Sequence, residues 1–260
     1  MGELLDRLID DETRLATDEG QRVGTEGHER ARSYLEERLE RLGLERYDGE
    51  SFALEYQSEG GEFANLIGVV PGEERELPPL LLGAHYDTYG ELPGADDNAA
   101  AVAIVLAVAE RLLAAPARPD VVIAFFDAEE PPYYHTSSMT STRFYRDQLK
   151  GEVRAALILD LVGHNVPLPG LKDLLFITGM ESSPCLEPPV GDAAETAEVR
   201  LVTALNKYVG DVSDHHAFRL GGTPYLFFSC GRWEHYHMPT DTPEVLNYRK
   251  MESIVKLLTG

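Results

Sequence analysis

The sequence predicts an α/β fold, a three-layer αβα sandwich around a mixed, largely parallel central sheet. Three observations predict it. Short apolar runs of buried-strand length recur along the chain, segments of helical character separate several of them, and acidic or imidazole side chains stand immediately after three of the runs. With 260 residues, 43% hydrophobic and 26% charged, the chain can bury a full-sized core, and one domain over residues 1–260 is expected.

The opening "MGELLDRLIDDETR" is acidic and amphipathic, without the positive start, apolar stretch and small-residue cleavage site of a secretory leader. Residues 25–44, "TEGHERARSYLEERLERLGL", put Ala31, Tyr34, Leu35, Leu39 and Leu42 on one helical face, with Gly43 as a stop signal. The strand candidates are "NLIGVV" (65–70), "PLLLGA" (79–84), "VVIAFF" (121–126), "ALILDL" (156–161), "DLLFIT" (173–178) and "TPYLFF" (223–228). Helical character marks 98–114, 139–150, 192–207 and 248–258, whereas "EEPPYYHTSS" and "ESSPCLEPPVG" read as irregular loops.

Charge and composition exclude several functions. A formal net charge of -22 argues against nucleic acid and anionic lipid surfaces, which both need basic patches. The most apolar window, "AAAVAIVLAVAERLLAA", is interrupted by Glu110 and Arg111 and falls short of the roughly 18 apolar residues of a membrane span. A cytoplasmic location is therefore expected. Cys185 and Cys230 are too few for a disulfide framework or a thiolate zinc cage.

In open α/β sheets, ligands bind beyond the carboxyl ends of the strands. His85 and Asp87 follow the second run, Glu129 and Glu130 the third and Asp160 the core of the fourth, while Asp96 and Asp97 precede the helix beginning near Asn98. Carboxylates gathered at one rim repel each other unless neutralised, and no Lys or Arg cluster is nearby in sequence. Divalent metal would neutralise them. Zinc accepts imidazole nitrogen and carboxylate oxygen, and two zinc ions against three carboxylates leave about one net positive charge, enough to polarise a carbonyl and acidify water. A second imidazole comes from "WEHYHMPTDTPE", where His235 and His237 share a face in extended backbone and spacing leaves both open.

"HYDT", "PGADDNAAAV", "AFFDAEE", "LILDL", "VSDHHAF" and "YHMPTDTPE", in this order, resemble the co-catalytic zinc aminopeptidases of the bacterial leucyl aminopeptidase and aminopeptidase Y family. The resemblance implies the zinc exopeptidase (phosphorylase/hydrolase-like) fold and hydrolysis of the N-terminal residue from a peptide with a free N-terminus. It also implies two zinc ions, with His85 and Asp160 on one, Glu130 and His237 on the other and Asp97 bridging them. Glu129 would be the general base acting on a metal-activated water, and Asp87 would orient the His85 imidazole. Asp214 would have a similar outer role. A cis peptide after Asp97 belongs to the same pattern.

The chain departs from that family in two places. No tyrosine occupies the spacing before "SDHHAF" at which family members carry an oxyanion donor, so Tyr208, six residues before Asp214, is the candidate. The "GLxGS" turn expected soon after the paired Glu is missing. The segments "AFFDAEEPPYYHTSSMTSTRF" and "LILDLVGHN" resemble animal-type glutaminyl cyclases instead, which form N-terminal pyroglutamate with one zinc. Those cyclases carry Trp where Tyr236 precedes His237 here. Tyr133, Tyr134 and Tyr236 are expected in the substrate pocket wall.

Overall fold

The computed structural model describes residues 2–58 and 61–260. Helix α1 (Glu3–Leu15) is followed by α2 (Glu26–Leu42), which the Thr25 side chain caps by accepting from His28 N at 3.3 Å. Gly43, at φ 79°, ends it in the left-handed conformation that favours glycine. The buried stripe of α2 is Ala31, Leu35 and Leu39, part of the face expected from their spacing.

One sheet organises the rest. Its strands are β1 (Glu45–Arg46), β2 (Ala53–Ser58), β3 (Gly61–Val70), β4 (Leu80–His85), β5 (Val121–Phe126), β6 (Ala155–Leu159), β7 (Leu174–Thr178), β8 (Arg200–Ala204) and β9 (Tyr225–Ser229). The spatial order is β1-β3-β5-β4-β6-β9-β7-β8, with β2 also paired to β3. Strands β5, β4, β6 and β9 run parallel, whereas β3 and β7 are antiparallel to their neighbours β5 and β9. The sheet is thus mixed with a parallel centre. Four strand ends therefore open on one rim.

Side-chain alternation splits the sheet into two apolar faces. Leu82, Ala84, Ile123, Phe125 and Phe228 face α3 (Ala100–Ala114), α8 (Tyr248–Thr259), α1 and α2, and Leu81, Val122, Ala124, Phe126 and Ile158 face residues 144–153 and α7 (His215–Gly221). Helix α3 is buried on nearly every side, which its Ala, Val, Ile and Leu composition allows. The three-layer sandwich follows. No helix among the described residues is long and apolar enough to cross a membrane.

Three local expectations need correction. Residues 192–207 are not one helix: α5 (Glu187–Thr196) ends, β8 follows as an edge strand, and α6 (Asn206–Val209) is one short turn. Edge position leaves β8 only partly buried, so its sequence "RLVTA" lacks the apolar run of a central strand. The stretch 181–191 is not wholly irregular, because Pro188 and Pro189 occupy the first turn of α5, where a missing N–H costs nothing. Residues 139–150 form only α4 (Thr140–Arg143) and a wide turn, Phe144–Gln148.

Candidate active site

The sheet rim brings together the five residues proposed from sequence as metal ligands. His85 ends β4 and Asp160 directly follows β6, its parallel neighbour. Asp97 lies in the turn before α3, Glu130 in the turn after β5 and His237 in the segment after β9. Asp97 faces two ways. Its Oδ1 is 3.4 Å from His85 Nε2, and its Oδ2 is 3.2 Å from His237 Nε2. On either side, Asp160 Oδ1 is 3.9 Å from His85 Nε2 and Glu130 Oε1 is 3.0 Å from His237 Nε2. His85, Asp97 and Glu130 each offer one donor atom within 4.8 Å of the other two.

The surroundings fix these groups. Asp87 accepts from the backbone N–H of Glu129 on one carboxylate oxygen and from that of Glu130 on the other, both at 3.0 Å. Its backbone carbonyl is 3.1 Å from His85 Nδ1, so one residue steadies the imidazole and the paired acids. Asp241 does the same for the central turn, accepting from Asp96 N at 3.0 Å and Asp97 N at 3.2 Å. The Asp97-Asn98 peptide is cis, as the motif implied, and Asn98 Nδ2 donates to Leu159 O. Asp96 points away, accepting from Gly163 N at 2.7 Å and pairing with His164 Nδ1 at 2.6 Å. Its role is structural.

Sequence reasoning missed Asp241, although it lies within the quoted "YHMPTDTPE". It also missed the buried pair of Asp127 with His28 Nε2 at 2.8 Å, which ties α2 to the turn two positions before Glu129. Asp127 and Asp241 use their carboxylates on backbone N–H groups, a role with no spacing signature. His235 bonds Thr240 Oγ1 at 2.7 Å, outside the cluster. Tyr208 must be withdrawn as oxyanion donor: it is 75% exposed, its ring lies under the Lys207 ammonium, and it is absent from the cleft lining because α6 ends at the surface. Asp214 is buried at the start of α7, within electrostatic reach of His85 and Asp160, and burial pushes it up to about 7.

Charge is concentrated without enough cationic compensation. Burial, reinforced by Asp97, pushes Glu130 up to about 8, and burial also raises Asp160. Burial drives Glu129 well above the usual carboxylate range, with Glu130 and Asp160 adding to the effect against the pull of His85. Although burial opposes it, Asp97 and Glu130 lift His237 to about 9. Buried His85 Nε2, Asp97 Oδ2, Glu129 Oε1 and Asp160 Oδ1 lack a hydrogen-bond partner of proper geometry among the described residues. Buried polar atoms are normally satisfied, and the His85, Asp97 and Asp160 atoms of this orphaned set are donor types that fit zinc.

Before this cluster lies a cavity of about 610 Å³, within the range of small-ligand sites. Tyr89, Tyr134 and Tyr236 form polar-edged walls, and Leu161, Phe176, Val212 and Phe227 an apolar one. Tyr134 is spoken for, its hydroxyl donating to Asp211 O at 2.5 Å. Ala128, Leu161 and His237 hold positive φ without being glycine, a conformation costing about 1–3 kcal/mol each that clusters where geometry matters for function.

The profile of peptidase family M28 matches residues 65–259. The chain is 27% identical over 233 residues to YfbL of Escherichia coli K12, covering 75% of this chain and 69% of that protein. It is 24% identical over 236 residues to aminopeptidase YwaD of Bacillus subtilis 168, covering 84% of this chain but only 50% of YwaD. Among solved structures, a glutaminyl cyclase of Tannerella forsythia superposes with a TM-score of 0.75 at 20% identity, covering 98% of both chains. A Zn-dependent exopeptidase of Parabacteroides distasonis superposes with a TM-score of 0.74 at 18% identity, covering 98% of this chain and 96% of that one. At such identities the structural likeness is one of fold. The family match spans every residue of the His85 to His237 cluster, and the chain belongs to peptidase family M28.

Proposed function

We propose that the chain is a zinc-dependent aminopeptidase that removes the first residue of a peptide with a free N-terminus. One observation carries the reading: Asp97 turns one carboxylate oxygen to His85 and the other to His237, between two separate His–carboxylate pairs. His85 and Asp160 would hold one zinc ion, His237 and Glu130 the second, and Asp97 both. Bound zinc supplies Lewis acidity, polarising the scissile carbonyl and acidifying water.

The protein's own groups do the rest. Glu129 lies beside the ligand Glu130 but outside both pairs, so its carboxylate stays free to take a proton from the attacking water and pass it to the leaving amine. Asp87 fixes the Glu129 and Glu130 backbone, so the base and the ligand keep one relative position. A metal-loaded site would take the lone pair of a free, unprotonated α-amine and not a blocked one, while Leu161, Phe176 and Phe227 offer an apolar wall to the first side chain.

A cyclase reading is favoured by residues 131–139. This segment is anchored through Tyr134 and His135 to Asp211 O, in place of the turn usual after the paired acids. Elemental analysis together with turnover of aminoacyl-anilides and Gln-anilide separates the two. The aminopeptidase gives about two zinc per chain and amine-dependent hydrolysis that Glu129→Gln abolishes. One zinc with pyroglutamyl product and no hydrolysis assigns the cyclase.

A further inference from the structure

Arg232 stands where peptide-bond hydrolysis alone does not require a charge. It follows β9 by three positions, and among the described residues it is the only Lys or Arg in the cleft lining, with no carboxylate at ion-pair distance. Elsewhere arginines are engaged, as Arg38 is by Asp11, Arg75 by Glu45 and Arg219 by Asp211. Arg232 instead stacks on an aromatic ring, its Cζ 4.8 Å from the centroid of Tyr236. The ring of Tyr236 lies 3.8 Å from that of His237, and Tyr89 stacks on His237 at 4.0 Å, its ring nearly parallel at 6°. The guanidinium is thus held one ring beyond a residue of the candidate metal cluster.

That separation has a chemical measure. An extended chain advances at most about 3.3–3.6 Å per residue, so a peptide whose α-amine lies at Asp97 and Glu130 brings groups on its second residue to the depth of Arg232. The cavity of about 610 Å³ has room for a molecule of that size. With a formal net charge of -22, the protein repels anions at long range, so a local cation is needed to receive one. A guanidinium is suited to the task, since its planar fork binds a carboxylate by two hydrogen bonds.

Resting on the aminopeptidase reading, we propose that Arg232 is a specificity residue that receives a carboxylate on the second residue of the substrate, in the first place the free C-terminus of a dipeptide. The enzyme then acts on dipeptides in preference to longer or C-terminally blocked chains. An acidic side chain at the second residue presents the same chemistry at the same depth.

The test compares kcat/KM for Leu-Leu, Leu-Leu amide and Leu-Asp amide in wild type, Arg232→Gln and Arg232→Lys. A hydrogen bond to a charged group contributes about 1.5–3 kcal/mol, and solvent exposure places the effect at the low end, so Leu-Leu should exceed its amide by about tenfold. Arg232→Gln should bring that ratio to about one, and Arg232→Lys should restore part of it. The preference should also shrink with added salt. If Leu-Asp amide gains as much as Leu-Leu, the site reads the carboxylate from either source. Equal rates on acid and amide, with the ratio unmoved by Arg232→Gln, overturn the proposal.

Failure of the aminopeptidase reading looks different, because then no peptide is cleaved. Calorimetric binding of Leu-Leu and its amide to zinc-loaded Glu129→Gln protein reads the Arg232 contact without turnover. Tighter binding of the acid that Arg232→Gln removes supports it, and equal affinities overturn it.

Discussion

His85 and Asp160 leave the ends of adjacent parallel strands, whereas Glu130 and His237 hang from turns, so the two halves of one site are built by different means. The strand-borne pair is deeply buried, with His85 at 1% and Asp160 at 8% side-chain exposure. On the other side His237 is 20% exposed and adopts positive φ. Sites on regular elements hold geometry more closely than sites on loops, so the His85 half should be the preorganised one. The His237 half should depend more on its supporting residues.

The largest effect on activity should come from the group that serves both halves without belonging to either. Glu129→Gln keeps the shape and removes the carboxylate proposed as the base, and general acid–base catalysis is worth about 10²–10⁴-fold. We expect kcat to fall by about that range with zinc content unchanged, as measured by steady-state kinetics beside elemental analysis. A loss of metal in this variant would show that Glu129 belongs to one of the halves.

Next come the imidazoles themselves. His85→Ala takes a ligand from the preorganised half and leaves buried carboxylates uncompensated, so zinc binding should weaken at both positions. His237→Ala should release the ion of the more exposed His237 half, the outer one, and retain the inner ion of the His85 half. Zinc titration of the chelator-stripped protein should show two phases in wild type, with the tighter one surviving only in His237→Ala. Equal affinities, or survival in His85→Ala, would remove the distinction between the halves.

The same contrast governs what the sequence made legible. Central strands β4, β5, β6 and β9 are buried on both faces and read as apolar runs, so the residues just beyond them could be named as site candidates. His85 and Asp160 follow from position alone, while Asp97 over Asp96 and His237 over His235 needed the motif resemblance, since both choices lie in turns. Edge strands β1, β2 and β8 escaped because solvent on one side permits polar residues. Asp241 and Asp127 escaped for another reason. A carboxylate that grips backbone N–H groups is defined by the turn it closes, and that turn exists only in three dimensions.

Those supporting acids give the third comparison. In Asp87→Asn or Asp241→Asn an amide N–H₂ replaces one acceptor oxygen and faces a backbone donor, at Glu129 or Glu130 in the first case and at Asp96 or Asp97 in the second. Groups that orient metal ligands typically contribute about 10–100-fold in affinity or activity. Asp87→Asn should weaken the outer zinc through Glu130, and Asp241→Asn should weaken both through Asp97. Zinc dissociation constants for the two variants separate these outcomes, and identical profiles would break the link between support and half-site.

The smallest effect on activity is expected behind the site, where Glu12 of α1 is buried against the C-terminal segment. Its Oε2 accepts from the Tyr248 hydroxyl at 2.6 Å, and burial, with Asp241, Glu244 and Asp96 nearby, pushes its carboxyl up to about 8 from an ordinary 4.5. The folded chain therefore keeps a proton that the unfolded chain releases above about pH 4.5. This contribution to stability is complete below that pH and is lost as pH rises through about 8. Glu12→Gln imitates the protonated form and should flatten the slope while leaving kcat at neutral pH unchanged. Thermal unfolding at about pH 5 and about pH 8.5 measures it, each kcal/mol being worth about 2–4 °C in a chain of this size. Wild type should fall below the variant only at the higher pH. Parallel curves would mean that Glu12 is charged in the folded protein, and that α1 carries its charge beside Asp241 at no cost.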